Sequence, residues 1–307
     1  MHGYRVISTA LLWLGSVCVA HAAMAPPSRL KASAANAGYA PIQRVWLQRA
    51  LDARPRDLLV ARMEASGCVP ALRCDPSAAL AFLEQADAGN AAVHLHAYAA
   101  AQRRGDHAGA EGAWQAAAQA DHFDSGALEL GKALHATYDG VRWPSLASVS
   151  LRAQLHAQGL PSTGAAMVAM FVIGAWSAQA LPALGDLLRR CSSPVAKPAL
   201  RDECMAVLNS VAKDESTMVT AMVGAKRMAA LSRGADATRQ QARMRALEWP
   251  QQQQQRRVPT ATGQAIDLNV IVTQGEVSAL RALVQRQGLA TRPPTDGQPS
   301  APIQQAQ

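Results

Sequence analysis

Aromatic residues are scarce: 3 Phe, 4 Tyr and 6 Trp make up 4% of the 307 residues. β-Branched residues are also few, while Ala recurs throughout. That composition argues against a large sheet, which packs best with aromatic and branched side chains, and for packed helices. Charged residues reach only 17% against 49% hydrophobic, which excludes wholesale disorder. With 21 Gly, 17 Pro and 5 Cys, collagen-like and disulfide-framework classes fall away. The length allows one or two domains with an ample core.

The chain opens on what reads as an export signal. Arg5 is the only charge of its first segment, Val6 to Ala20 is apolar, and Ala20-His21-Ala22 supplies a small-x-small pattern. Residues 1–22 therefore read as a signal peptide cleaved before Ala23. An uncleaved anchor fits less well, because the apolar core falls short of the roughly 20 residues a spanning helix needs. A lipid-anchored reading through Cys18 meets bulky Val17 where a small residue is expected. The mature chain is expected in the periplasm or secreted, where thiols oxidise.

Loss of Cys18 leaves Cys68, Cys74, Cys191 and Cys204, four thiols with three possible pairings. The local pairing, Cys68–Cys74 and Cys191–Cys204, closes the shortest loops and is the expected one. A zinc site would need closer ligand spacing, and no C-x-x-C pair occurs.

Charge is uneven. Residues 23–215 carry a net of +1, and residues 216–307 a net of +6. A basic patch suited to nucleic acid also needs stacking aromatics, and only Trp249 lies nearby. Contact with an acidic protein partner fits better, although a solvated face accounts for most charge runs. Arg239, Arg243 and Arg245 are the candidate binding residues of this third, with Trp114 further upstream.

Residues 23–40 read as a small-residue linker and 41–249 as a helical domain. Helices are expected near 41–52, 56–66, 76–88, 91–104, 107–120, 125–138, 145–158, 164–179, 181–190, 199–212, 216–232 and 236–248, separated mostly by Pro, Gly and Asp breaks. Residues 250–263, with five Gln between Pro250 and Pro259, read as an exposed linker, with extension of the preceding helix as the alternative. Within a short C-terminal element at 264–288, residues 266–273 form the one good strand-like run, followed by a helix at 276–287. The Pro- and Gln-rich tail at 289–307 is expected to be disordered.

One periodicity carries more. Ala79, Leu83 and Ala86 recur 31 residues later as Ala110, Trp114 and Ala117, spacings that share one helix face. Gly105-Asp106 marks a turn before the second set, and Asp75-Pro76 stands in the equivalent place before the first. Residues 91–121 thus resemble a tetratricopeptide repeat, and 57–90 an earlier, degenerate copy. The resemblance implies stacked antiparallel helix pairs, an α-solenoid, and a protein-binding role without catalytic residues. A helical bundle whose Ala periodicity is accidental is the plainer alternative.

Other features point less clearly. Ala165–Leu184 carries no charge over a membrane-spanning length, but its Gly, Ser, Gln, Pro and many Ala suit buried helices better. His94 and His96 stand two apart, which puts them on different helix faces. Asp121-His122-Phe123-Asp124 reads as the lead-in to a helix cap. Met205, Met218, Met222 and Met228 would form a soft copper site or, more ordinarily, core filler. Nucleophile-elbow, metalloprotease, phosphate-loop and dinucleotide motifs are all absent. The expected function is a non-enzymatic interaction protein without a cofactor, in one version an inhibitor or immunity-type binder. An envelope enzyme with a dispersed site, using His94, His122 and His135, is the alternative.

Overall fold

The computed structural model describes residues 56–67, 75–138, 149, 152–153, 184–192, 198–255 and 268–294. These residues form α-helices and no strand; one isolated bridge joins Asn90 to His122. In chain order the helices are α1 (Leu58–Gly67), α2 (Ser77–Ala86), α3 (Ala91–Arg104), α4 (His107–Gln119), α5 (Ala127–Tyr138), α6 (Leu184–Arg190), α7 (Pro198–Lys213), α8 (Met218–Leu231), α9 (Gly234–Gln255), α10 (Leu268–Gln274) and α11 (Glu276–Arg286).

Local chemistry sets the boundaries. Asn90 opens α3 by accepting from the Ala92 amide, and Gly105 closes it at φ +72°, a left-handed conformation that glycine adopts without steric penalty. Asp106 then caps α4 by accepting from the Gly109 amide at 2.8 Å. Before α2, Asp75 accepts from both the amide and the hydroxyl of Ser77. These are the breaks expected from Gly105-Asp106 and Asp75-Pro76. The repeat residues follow: Ala79, Leu83, Ala110, Trp114 and Ala117 are buried, while Ala86 is exposed.

Helix α3 is buried on two sides. Val93 and Ala100 meet Ala61 and Ala65 of α1 and Ala79, Leu80 and Leu83 of α2. Leu95, Tyr98 and Ala101 belong to the larger core, with Trp114 of α4, Leu187 of α6, Val207, Leu208 and Val211 of α7, and Ala221, Ala225 and Met228 of α8. Successive helices pack together along α1–α2–α3–α4 and again along α7–α8–α9, and α4 packs on α7. The α7–α8 crossing is tight. A Cβ on Gly224 would stand 2.5 Å from the Ala212 backbone nitrogen, so the two helices approach closely only because that side chain is missing.

The C-terminal helices fold back. α10 packs on α5, where Val272 lies against Gly131, and Ala127, Ile271 and Ala279 form a small third cluster. Gly275 separates α10 from α11 at φ +91°, and a Cβ there would meet the Glu215 carbonyl oxygen at 2.4 Å. The docking is completed by the Glu276 amide donating to Ser216 O at 2.9 Å and by an Arg281–Glu215 ion pair.

Two expectations need correction. The strand-like run at 266–273 is helical from Leu268 onward. Its branched residues Ile271 and Val272 are both buried, and burial against α5 outweighs the strand preference of Val and Ile. The linker expected from residue 250 is helical as far as Gln255: α9 continues through Pro250. Proline removes one intrahelical bond, but Pro250 is buried, Trp249 Nε1 donates to Ala290 O, and Gln254 donates to Gln287. Tertiary contacts hold this stretch.

The expected signal at 1–22, the linker at 23–40, the helices at 41–52 and 164–179, the Cys68–Cys74 bridge and the tail from 295 lie outside the described residues. So do most of the helix at 145–158, residues 256–263 of the linker, and the uncharged stretch 165–184 except Leu184. Among the described residues no helix is long and apolar enough to cross a membrane.

Candidate functional site

Trp114 is fully buried and gripped from two directions. Its Nε1 donates to Glu203 Oε2 of α7 at 2.7 Å. On its other side the Arg190 guanidinium lies 4.6 Å from the ring centroid. Each of these partners is next in sequence to a cysteine, and Cys191 and Cys204 are joined by a disulfide, with Cα atoms 5.7 Å apart. The bridge thus ties together the arginine and the carboxylate that hold one indole. Of the two expected bridges, this one lies within the described residues.

Arg190 also sits 5.5 Å from the Tyr98 ring and pairs with Glu111 at 2.7 Å. Burial disfavours its charge, but the Glu111 and Tyr98 oxygens outweigh that and hold its pKa above the ordinary value. The cation is permanent, and its contact with two aromatic faces adds quadrupole attraction.

Beside this cluster, α3 and α6 leave a shallow hollow of about 290 Å³, lined by Tyr98, Ala99, Gln102, Arg103, Asp186 and Arg189. Its floor, Tyr98 and Ala99, is buried, and its rim is polar. Arg189 pairs with Asp186 on its own helix. Among the described residues Arg103 has no ion pair. A second hollow of about 380 Å³ lies over small residues of α3 and α4 and is edged by Glu84, His94, Arg104 and Asp106.

Asn90 organises a polar cluster on the other side of α3. It is fully buried and makes four side-chain hydrogen bonds: it accepts from the Ala92 and Asp124 amides and donates to Asp87 and to Asp124 O. Arg62 pairs with Asp87, Asp124 and Glu129. Burial pushes the Asp87 carboxyl up, but hydrogen bonds from Asn90 and Arg62 prevail and hold it below the usual range. This cluster fastens α1 and the turn before α5 to the start of α3. Asp124 accepts from the Gly126 amide, as the cap reading of 121–124 expects.

His96, half-buried on α3, is lowered from 6.5 to about 4, first by desolvation and then by the Arg103 charge. Between those values the unfolded chain takes up a proton that the folded chain refuses. Stability contributed by neutral His96 is therefore full above pH 6.5, falls through the window down to about 4, and levels off below it. The full loss is on the order of 3 kcal/mol. Asp214 and Glu276, both raised by burial, act with the opposite sign as acid neutralises them. Urea midpoints for wild type and His96→Gln isolate the histidine: the variant is expected to show a clearly shallower decline between about pH 7 and 4.5.

The structure places the sequence candidates apart. Trp114 lies in the core, held by Arg190 and Glu203. Arg239 is exposed and pairs with Asp236 on α9. Arg243 turns inward, donating to Ala212 O and Asn209. Arg245 is exposed. Of the three histidines, His94 donates to Ala88 O at 2.7 Å, His122 faces Asp87 at 3.5 Å, and His135 is half-buried on α5. No hydrogen bond or ion pair joins any two of them among the described residues. Met218 and Met228 lie in the core, with Met205 and Met222 packed against it, as core filler does. Among the described residues no group of three or more His, Cys, Asp or Glu is arranged to hold a metal ion.

Sequence reasoning missed Arg190, Tyr98 and Glu203. Arg190 and Glu203 carried one usable signal, their position beside cysteines expected to pair. No protein-family model matches this chain, and no curated protein and no solved structure matches it.

Proposed function

We propose that this chain is an exported, non-enzymatic protein-interaction module built of stacked antiparallel helix pairs, tetratricopeptide-like over about residues 57–121. The observation that carries the reading is the packing at the N-terminal end: α1 lies on α2, α2 on α3, α3 on α4, and α1 also touches α3. First helices of consecutive pairs meet in this way in stacked helical repeats. Small and large residues alternate at the crossings, Ala79 with Leu83 and Ala110 with Trp114. Export is supported by the apolar leader at 1–22 and by the Cys191–Cys204 bridge, which persists in an oxidising compartment.

Such a module acts by burying a partner segment against rigid helix faces while charge steers the encounter. The net positive charge favours an acidic partner, either an enzyme held inhibited or a component of an assembly. The test is capture of envelope proteins on the mature form, starting at Ala23, over a salt series. A stoichiometric partner released by about 0.5 M salt is the expected result, because screening at that strength suppresses charge attraction. No partner at any salt, together with a hydrolytic activity abolished by His94→Ala, overturns the reading.

A further inference from the structure

We infer that the hollow between α3 and α6 is where an acidic segment of the partner docks, each glutamate or aspartate carboxylate being received by Arg103 and Arg189. This rests on the interaction reading above and moves its cationic site from α9 to α3 and α6. The charge count favours it. The lining carries two arginines, Arg103 and Arg189, against one carboxylate, Asp186, whose ion pair among the described residues is with Arg189. Arg103 is exposed and has no ion pair among the described residues. Arg190 is compensated by Glu111 and Arg189 by Asp186, so the hollow carries one surplus positive charge, at Arg103, with Arg189 free to share a second carboxylate.

The floor adds to this. Tyr98 and Ala99 are buried, and a carboxylate resting on them meets fewer waters than one on a flat surface, which strengthens its pairing with arginine. A volume of about 290 Å³ admits one or two side chains, below the size of most small-molecule sites. On α9, by contrast, Arg239 and Arg245 stand on a polar helix to which neither described hollow belongs.

The probe is a fluorescein-labelled deca-glutamate with an amidated C-terminus, followed by anisotropy on the oxidised mature protein at low salt. A second peptide, deca-glutamine with a free carboxylate, separates side-chain recognition from recognition of a chain end. Binding of deca-glutamate is expected to weaken by roughly tenfold or more in Arg103→Ala/Arg189→Ala. It should stay within about twofold in Arg239→Ala/Arg245→Ala. The two substituted positions in α3 and α6 are solvent-exposed or rim groups, and an unchanged circular dichroism spectrum establishes that the variant is folded. Equal affinity of wild type and the α3–α6 variant overturns the location and leaves the interaction reading intact, as does selective loss in the α9 variant. Tighter binding of deca-glutamine, or no binding of deca-glutamate to wild type, overturns the carboxylate-docking inference, and the capture experiment then decides the broader reading separately.

Discussion

Trp114→Ala is expected to lower the stability of the protein by about 3 to 5 kcal/mol, the range for emptying a fully buried large aromatic site. The indole is wholly enclosed and touches three helices: Tyr98 of α3 at 5.6 Å between ring centroids, Arg190 of α6 and Glu203 of α7. Its removal opens a cavity and also strands two charged groups. Glu203 loses its donor, and Arg190 loses one of the faces over which it lies. Equilibrium urea unfolding followed by far-ultraviolet circular dichroism measures the loss. Trp114→Phe keeps most of the volume and removes the Nε1 donor, so it should cost less, about 1 to 3 kcal/mol, the penalty for a part-buried carboxylate left without its hydrogen bond. If the Ala and Phe variants proved equally stable to wild type, Trp114 would not be the keystone of the α3–α4–α6–α7 core.

The second large effect is expected from the disulfide. Cys191→Ser/Cys204→Ser removes a link that closes a loop of sequence separation 13, and loops of that length stabilise by about 3 kcal/mol when closed. Wild type treated with dithiothreitol should show a similar fall in its urea midpoint. Any further fall when the double-Ser variant is reduced reports a contribution from Cys68–Cys74. The bridge should also be coupled to Trp114, because Arg190 and Glu203 lie on either side of the indole and each adjoins a bridged cysteine. Combining the double-Ser change with Trp114→Phe is expected to give a non-additive sum, as contacting groups do. Additive losses would show that the bridge holds α6 to α7 without positioning the two groups on the indole.

Helix identity was largely legible in the sequence wherever the signal was local. Gly105-Asp106 announced the break between α3 and α4 because a left-handed glycine followed by a capping aspartate is a complete instruction within two residues. The pairing of Cys191 with Cys204 was legible for a similar reason, its loop being short. Residues 266–273 misled because Val270, Ile271 and Val272 favour strands when judged alone. What decides their state is the glycine-flattened surface of α5, far away in sequence. Pro250 misled in the same sense, its helix being secured by contacts with Gln287 and Ala290. The Trp114 cluster was beyond reach for a related reason: Trp114 and Glu203 stand 89 positions apart, and no periodicity connects them. The basic character of α9 was plain, yet the sequence did not disclose that Arg243 bends inward to a backbone carbonyl. Charge counts say how many cations a segment carries and nothing about which of them remain at the surface.

The seating of α10 on α5 has a consequence for the order in which the polypeptide acquires its shape. α5 ends at Tyr138 and α10 begins at Leu268, so Gly131 has no Val272 to receive until synthesis has passed α9. Contacts of such wide separation form slowly, since loop closure must precede any gain from them. A nascent chain that has emerged only as far as α9 therefore leaves uncovered the face of α5 on which α10 packs.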